Sequence, residues 1–170
     1  MLLAAARTHR ASGLPIAVHT GPWAPVEPGR NARCAFAQLD LLEGAGVAPS
    51  AWIWVHAQNE AQREHHVRAA RRGAWVSFDG FRPGQEADYL TLLGRMRDEG
   101  LLDHVLVSQD AGWFNAGQPG GGEFNPFHPL FTALIPALRK GGFDEAQVQA
   151  LFVRNPARAF AMRTPARTSG

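Results

Sequence analysis

Four short runs of β-favouring apolar residues recur along the chain: Ile16-Ala-Val-His19, Trp52-Ile-Trp-Val-His56, Trp75-Val-Ser-Phe-Asp79 and Val105-Leu-Val-Ser-Gln-Asp110. Each ends on a residue able to hold a metal or a proton. Between them, apolar residues return at helical spacing. The pattern predicts helices over residues 2–12, stopped by Gly13 and Pro15; 31–43, with Asn31 as N-cap; 61–72, after a turn at 57–60; and 85–99, stopped by Gly100. Residues 20–29 are too rich in Pro and Gly for anything but loop, and a second, longer loop spans 111–127. Loops of that length are usually functional. Two helices are expected over 129–139 and 144–152, and Asn155-Pro156 starts a last short one.

Strands that are near-continuous apolar runs, alternating with helices, predict a parallel sheet backed by helices. Right-handed crossovers then turn every strand end the same way, so His19, His56, Asp79 and Asp110 share one rim, where ligand chemistry sits in open sheets and barrels alike. Four such units are half of an eight-unit barrel. A lone half would leave two strand edges unpaired. With the start in mid-helix, this implies that an N-terminal half is missing or that a partner, such as a second copy, covers the gap.

Composition narrows the class. With 170 residues and 45% apolar content, the chain can bury one substantial core. A formal charge of +2 is too small for a nucleic-acid stripe, and Lys140 is the only lysine. Cys34, the single cysteine, excludes an internal disulfide and is expected to be a small buried hydrophobe. No apolar run reaches membrane-span length, and the N-terminus lacks the order of a signal peptide. These points predict a soluble, cytoplasmic protein.

Two neutral imidazoles and a carboxylate suit Zn²⁺ or a similar ion, and open coordination positions make such a site hydrolytic. One histidine at a strand end is ordinarily a hydrogen-bonded residue. His19, His56 and Asp110 at matching ends point instead to a metal. Asp79 is either a ligand or a turn starter before Gly80. Trp113 and His128 flank the long loop and either line a substrate pocket or hold that loop together. His65 and His66 are expected on a solvated helix face, and His104 lies at the end opposite the rim. Arg71-Arg72 suits a helix C-terminus, and Gly120-Gly-Gly122 reads as flexibility rather than a phosphate loop.

The motifs Pro15-Ile-Ala-Val-His19-Thr20, the strand ending at His56, Gly-Ala-Trp-Val-Ser-Phe-Asp79, Leu-Val-Ser-Gln-Asp110 and Asn155-Pro-Ala-Arg158 resemble the C-terminal half of the phosphotriesterase-like family of the amidohydrolase superfamily. The resemblance runs from about residue 12 to 160. It implies a (β/α)₈ barrel of which this chain supplies strands five to eight, as a partial hydrolase domain over 1–163 with a polar tail at 164–170. It further implies that His19 and His56 hold the more exposed ion of a binuclear site, and that Asp110 ligates the buried ion and accepts a proton from the bridging hydroxide. The family's His-x-His pair and carboxylated lysine have no counterpart here, since His65 and His66 are adjacent and Lys140 lies among the last helices. Asn59 stands where many members carry an acid that moves the proton away, and Glu60 beside it is the possible substitute. Trp54, two residues before His56, is expected to face into the barrel with Ala17, Ser77 and Ser108.

The expected function is therefore hydrolysis of a small ester, lactone or phosphoester by metal-activated hydroxide. Zn²⁺ leads over Mn²⁺, Co²⁺ and Fe²⁺, and Asn59, Trp113 and His128 are the candidate pocket residues. A non-catalytic barrel remnant and an open α/β binding domain without metal are the rivals.

Overall fold

The computed structural model describes residues 1–21 and 29–162. Most of the proline-rich loop expected at 20–29 and the polar tail lie outside the described residues. Strands β1 (Ile16–His19), β2 (Trp52–Val55), β3 (Trp75–Phe78) and β4 (Val105–Val107) form one parallel sheet in the order β1-β2-β3-β4. Helices α1 (Leu2–Ser12), α2 (Arg30–Gly44), α3 (Glu64–Arg71), α4 (Glu86–Asp98), α5 (Ile135–Lys140), α6 (Glu145–Gln149) and α7 (Asn155–Ala159) complete the α/β arrangement.

The pleat sorts the strands into two faces. Trp52, Trp54, Val76, Phe78, Val105 and Val107 pack against helical residues such as Leu39, Val67, Leu93 and Leu151 in the main core. Ile53, Trp75 and Leu106 form a smaller cluster with Ala159 on the opposite face, with Val55 at its margin. Register puts Ala17 beside Ile53 and Ser77 beside Leu106, so these share the second face. Trp54 is thus on the helix side, fully buried between Phe36 and His66, and not on the inner face expected for it. The expectation counted back from His56 in steps of two, but His56 has φ 59 and ends the strand alternation.

Helix α2 starts without the Asn31 cap. Gly29, in left-handed conformation, precedes it, and Asn31 is buried in the first turn. The buried N–H of Ala32, in the helix's first turn, donates instead to Glu60 Oε2 at 2.9 Å, so a carboxylate from the second unit caps the first unit's helix. Glu60 also accepts from Gln62 N at 2.9 Å and lies 3.5 Å from His65 Nδ1. Those contacts occupy the residues before Glu64, where α3 begins three residues later than periodicity predicts. Cys34 is exposed, not buried, off the face of α2 that carries Ala35, Leu39 and Leu42.

The last helices continue through two π-helical segments, Leu130–Leu134 and Ala150–Arg154. Each runs directly into a helix with proline in its first turn, Pro136 in α5 and Pro156 in α7. Proline has no N–H for the carbonyl four residues back and its ring crowds that carbonyl; the wider turn accommodates both. Asn155, fully buried, donates from Nδ2 to Leu102 O and Val105 O at 2.8 Å and fastens α7 beneath β4.

Candidate metal and hydrolytic site

The C-terminal strand ends bring His19 and His56 together, with ring centroids 4.3 Å apart and planes at 86°. His19 is the last residue of β1 and accepts from Gly21 N at Nδ1, 3.2 Å away. His56 follows β2 in left-handed conformation. Among the described residues the only non-glycine residues with positive φ are His56, at 59°, and Asp110, at 44°. Such conformations cost free energy and persist where surrounding contacts enforce them, commonly at functional sites.

The contacts that hold His56 come from Asp79. Its carboxylate accepts from His56 N at 3.0 Å and lies 2.6 Å from His56 Nδ1. It also accepts from Gln58 Nε2 at 3.2 Å, while Asp79 N donates to Gln58 Oε1 at 3.1 Å. A carboxylate surrounded by donors fixes Nδ1 as the protonated nitrogen, which leaves Nε2 of the neutral ring with its lone pair. Asp79 takes a role beside the ligand and the turn starter that the sequence left open: it stands behind His56 as an orienting group.

Asp110 is held through its backbone. Its carbonyl accepts from Trp113 Nε1 at 2.9 Å and from Arg82 Nη2 at 3.2 Å, and Arg82 Nη1 also donates to Gln109 O and to Phe81 O. Trp113 is thus a clasp on the loop's first turn, with its side chain exposed. His128, also exposed, lies 3.4 Å from Thr132 Oγ1 within its own helical start. Neither points to the histidine pair through any of these contacts. Asn59 does: a Cβ on Gly21 would lie 3.0 Å from His19 Cε1, 3.4 Å from His56 Cδ2 and 3.4 Å from Asn59 Nδ2.

The donor set therefore fits a divalent ion in part. The carboxylate-oriented His56 is a suitable imidazole ligand, whereas the Nδ1 lone pair of His19 is turned to Gly21 N and would have to leave it to bind an ion; among the described residues no three His, Cys, Asp or Glu side chains gather round one point. Asp110 does not join His19 and His56 as a three-ligand group within this chain.

Glu60 does not stand in for the missing acid. It is buried under the turn and spent on Ala32, Gln62 and His65; burial alone would raise its pKa, but those backbone donors and His65 outweigh it and hold it below the usual carboxylate range. His66 is likewise not solvated. It is buried between Trp54 and Phe78, with Nε2 2.7 Å from Ala57 O, and burial pushes its pKa down to about 4. It braces from below the turn at Ala57–Asn59 that carries Gln58 and Asn59.

Sequence reasoning missed Gly21, Gln58 and Arg82. Gly21 had a signal, following His19-Thr20 directly; Arg82 had none, because its partners are carbonyls set by tertiary structure. A cleft of about 440 Å³ also opens near the other end of the strands, beside Trp75, His104 and Arg158, but it contains no acid to pair with its histidines. In parallel α/β folds that end serves stability rather than chemistry.

The sequence pattern of the phosphotriesterase family matches residues 1–160. The chain belongs to the phosphotriesterase family. It is 29% identical over 165 residues to the phosphotriesterase homology protein of Escherichia coli (strain K12), covering 94% of this chain and 52% of that one. It is 25% identical, with a TM-score of 0.78, to the crystal structure of a lactonase from Listeria monocytogenes, covering 95% of this chain and 49% of the other. An organophosphorus hydrolase from Deinococcus radiodurans is 27% identical with a TM-score of 0.70, covering 94% and 50%. The chain spans about half the length of these phosphotriesterase-family relatives. Among the described residues no helix is long and apolar enough to cross a membrane.

Proposed function

We propose that this chain is the C-terminal half of a (β/α)₈ metal-dependent hydrolase, strands five to eight, acting on a small ester, lactone or phosphoester. The observation that carries the proposal is the edge-on pair of His19 and His56, with His56 held in a left-handed conformation and its ring oriented by Asp79. An imidazole whose far nitrogen donates to a carboxylate is the usual support of a metal-binding histidine. The similarity to a lactonase and an organophosphorus hydrolase supports ester and phosphoester chemistry.

His19 and His56 would hold a divalent ion, Zn²⁺ first among the candidates, and a bound ion of that kind supplies a hydroxide near neutral pH and withdraws charge from the substrate oxygen. Asp110, on its fixed backbone, would take the proton released as that nucleophile attacks. Asn59 cannot accept a proton, so it is assigned to orienting the substrate or a water beside the histidines. Trp113 would act on substrate only through its hold on Asp110.

The test is zinc content after chelation and reconstitution, together with turnover of aryl ester, lactone and phosphotriester substrates. Reconstituted protein that takes up zinc, and loses it on His56→Ala, supports the proposal; protein that takes up none sinks it. A non-catalytic module is the second reading, favoured by the lack of a three-ligand group among the described residues. It predicts neither zinc uptake nor turnover.

A further inference from the structure

We infer that Arg82 is a positioning residue that fastens the long loop over 111–127 to Asp110, so that the loop and the turn at Asp110 move as one body. Where hydrolysis is concerned, the inference rests on the function proposed above; the fastening itself does not. Arg82 lies in the loop after β3, Gln109 and Asp110 follow β4, and Asn125 is on the returning limb of the long loop. Arg82 Nη1 donates to Phe81 O at 2.9 Å and to Gln109 O, and Nη2 donates to Asp110 O at 3.2 Å. The amide of Asn125 faces Nε and Nη2, and its oxygen, the atom suited to two donors, accepts from both at 3.1 Å. These bonds use all five N–H groups that a guanidinium carries, which leaves none to meet a substrate.

The long loop is closed at its base. Gly112 N donates to Asn125 O at 3.2 Å, and Gln109 Nε2 donates to Phe127 O at 2.6 Å. Phe127 sits so close to Gly112 that a Cβ there would stand 2.4 Å from its Cζ. Further out the loop bonds to itself, Asn115 N to Gly121 O at 2.9 Å and Gly121 N to Gln118 O at 3.0 Å. A loop built this way is a compact unit joined to the fold at its neck.

That neck is the turn at Asp110, whose φ of 44° persists only where surrounding contacts enforce it. Arg82 holds the carbonyl of this turn and the returning limb at once, so a displacement of the limb is passed on to Asp110. The planar fork suits the task, because its donors point in fixed directions to acceptors on four residues, Phe81, Gln109, Asp110 and Asn125. A lysine, with its donors on one rotatable atom, cannot span them. With Asp110 as the proton acceptor proposed above, the loop acts through Arg82 on turnover rather than on substrate binding.

Hydrogen exchange of the full chain reads the fastening at the Gly112 amide, with the Gly121 amide inside the loop as the control. Arg82→Lys keeps the charge and loses the fork; Gly112 exchange is expected to rise roughly tenfold, the size of one lost hydrogen bond, with Gly121 unchanged. Asn125→Ala releases only the returning limb, sparing the bonds to Phe81, Gln109 and Asp110, and should quicken Gly112 exchange as well. Asn125→Asp keeps an acceptor and should behave as wild type. Turnover of an aryl ester separates positioning from bracing: Arg82→Lys and Asn125→Ala should each lower kcat about tenfold with KM within about twofold, and Asn125→Asp should keep both. Unchanged Gly112 exchange in Arg82→Lys, or faster exchange in Asn125→Ala with kcat untouched, overturns the inference. If Arg82→Lys fails to fold, Asn125→Ala decides by the same two readings. A wild-type chain without turnover sinks the hydrolase proposal instead, and Gly112 exchange across the variants then decides the fastening by itself.

Discussion

Asp79 grips His56 at two points, accepting from its backbone N–H at 3.0 Å and lying 2.6 Å from its ring Nδ1. One carboxylate thus sets both the left-handed backbone of His56 and the nitrogen that faces outward.

Removing that carboxylate without changing its shape separates the two effects. Asp79→Asn is expected to fold, because the amide oxygen still accepts from His56 N. Zinc affinity should fall roughly 10- to 100-fold, the usual cost of losing a ligand's orienting partner. Zinc titration by calorimetry measures it, and unchanged affinity would refute the role.

Gly21 is predicted to be intolerant for a local reason. Its φ is not in the positive range, but a Cβ would lie 3.0 Å from His19 Cε1 and press on His56 and Asn59. Gly21→Ala should keep the melting temperature within a few degrees while weakening zinc binding about tenfold, by displacing the histidine pair.

Asp110 is expected to trade stability against function. Glycine adopts φ 44 without the Cβ penalty, so Asp110→Gly should stabilise the fold by about 1 kcal/mol in urea unfolding while abolishing hydrolysis. Loss of stability instead would mean that the carboxylate has a structural partner.

His66 gives the fold a defined acid sensitivity. Its pKa falls from the ordinary 6.5 to about 4, mainly because burial penalises the charged ring. Below pH 6.5 the unfolded chain binds a proton that the folded chain refuses. The contribution of His66 is therefore complete above pH 6.5 and is lost as pH falls towards 4, by roughly 3 kcal/mol in all. Urea unfolding at pH 7, 5.5 and 4.5 reads the slope, and His66→Gln, which retains a donor for Ala57 O, should flatten it.

The four strands and their rim were legible because buried parallel strands are short apolar runs, and the residues ending them, His19, His56, Asp79 and Asp110, were visible by position alone. The proline-bearing last helices were legible too, though not their π-helical segments. Facing was not legible past a strand end: the left-handed turn at His56 reversed the inference for Trp54, since dihedral angles leave no mark in a pattern of apolar residues. Burial of His66 was hidden for a related reason. Its neighbours Arg63, Glu64 and His65 are polar, and only the 3.6-residue period with Val67 and Ala70 places it inward. Glu60 was legible as an acid, but its partner Ala32 lies on another helix, and such contacts are set by packing rather than spacing.

The indole N–H of Trp54 donates to Thr20 Oγ1 at 2.6 Å, and the Thr20 hydroxyl donates onward to Val55 O at 2.8 Å. That chain runs from the dry interior to the residues flanking both histidines. One of the five tryptophans is thereby coupled to the rim, so an ion settling on His19 and His56 would change its emission. If the proposed ion binds there, that tryptophan would serve as an optical gauge of occupancy, readable without any label.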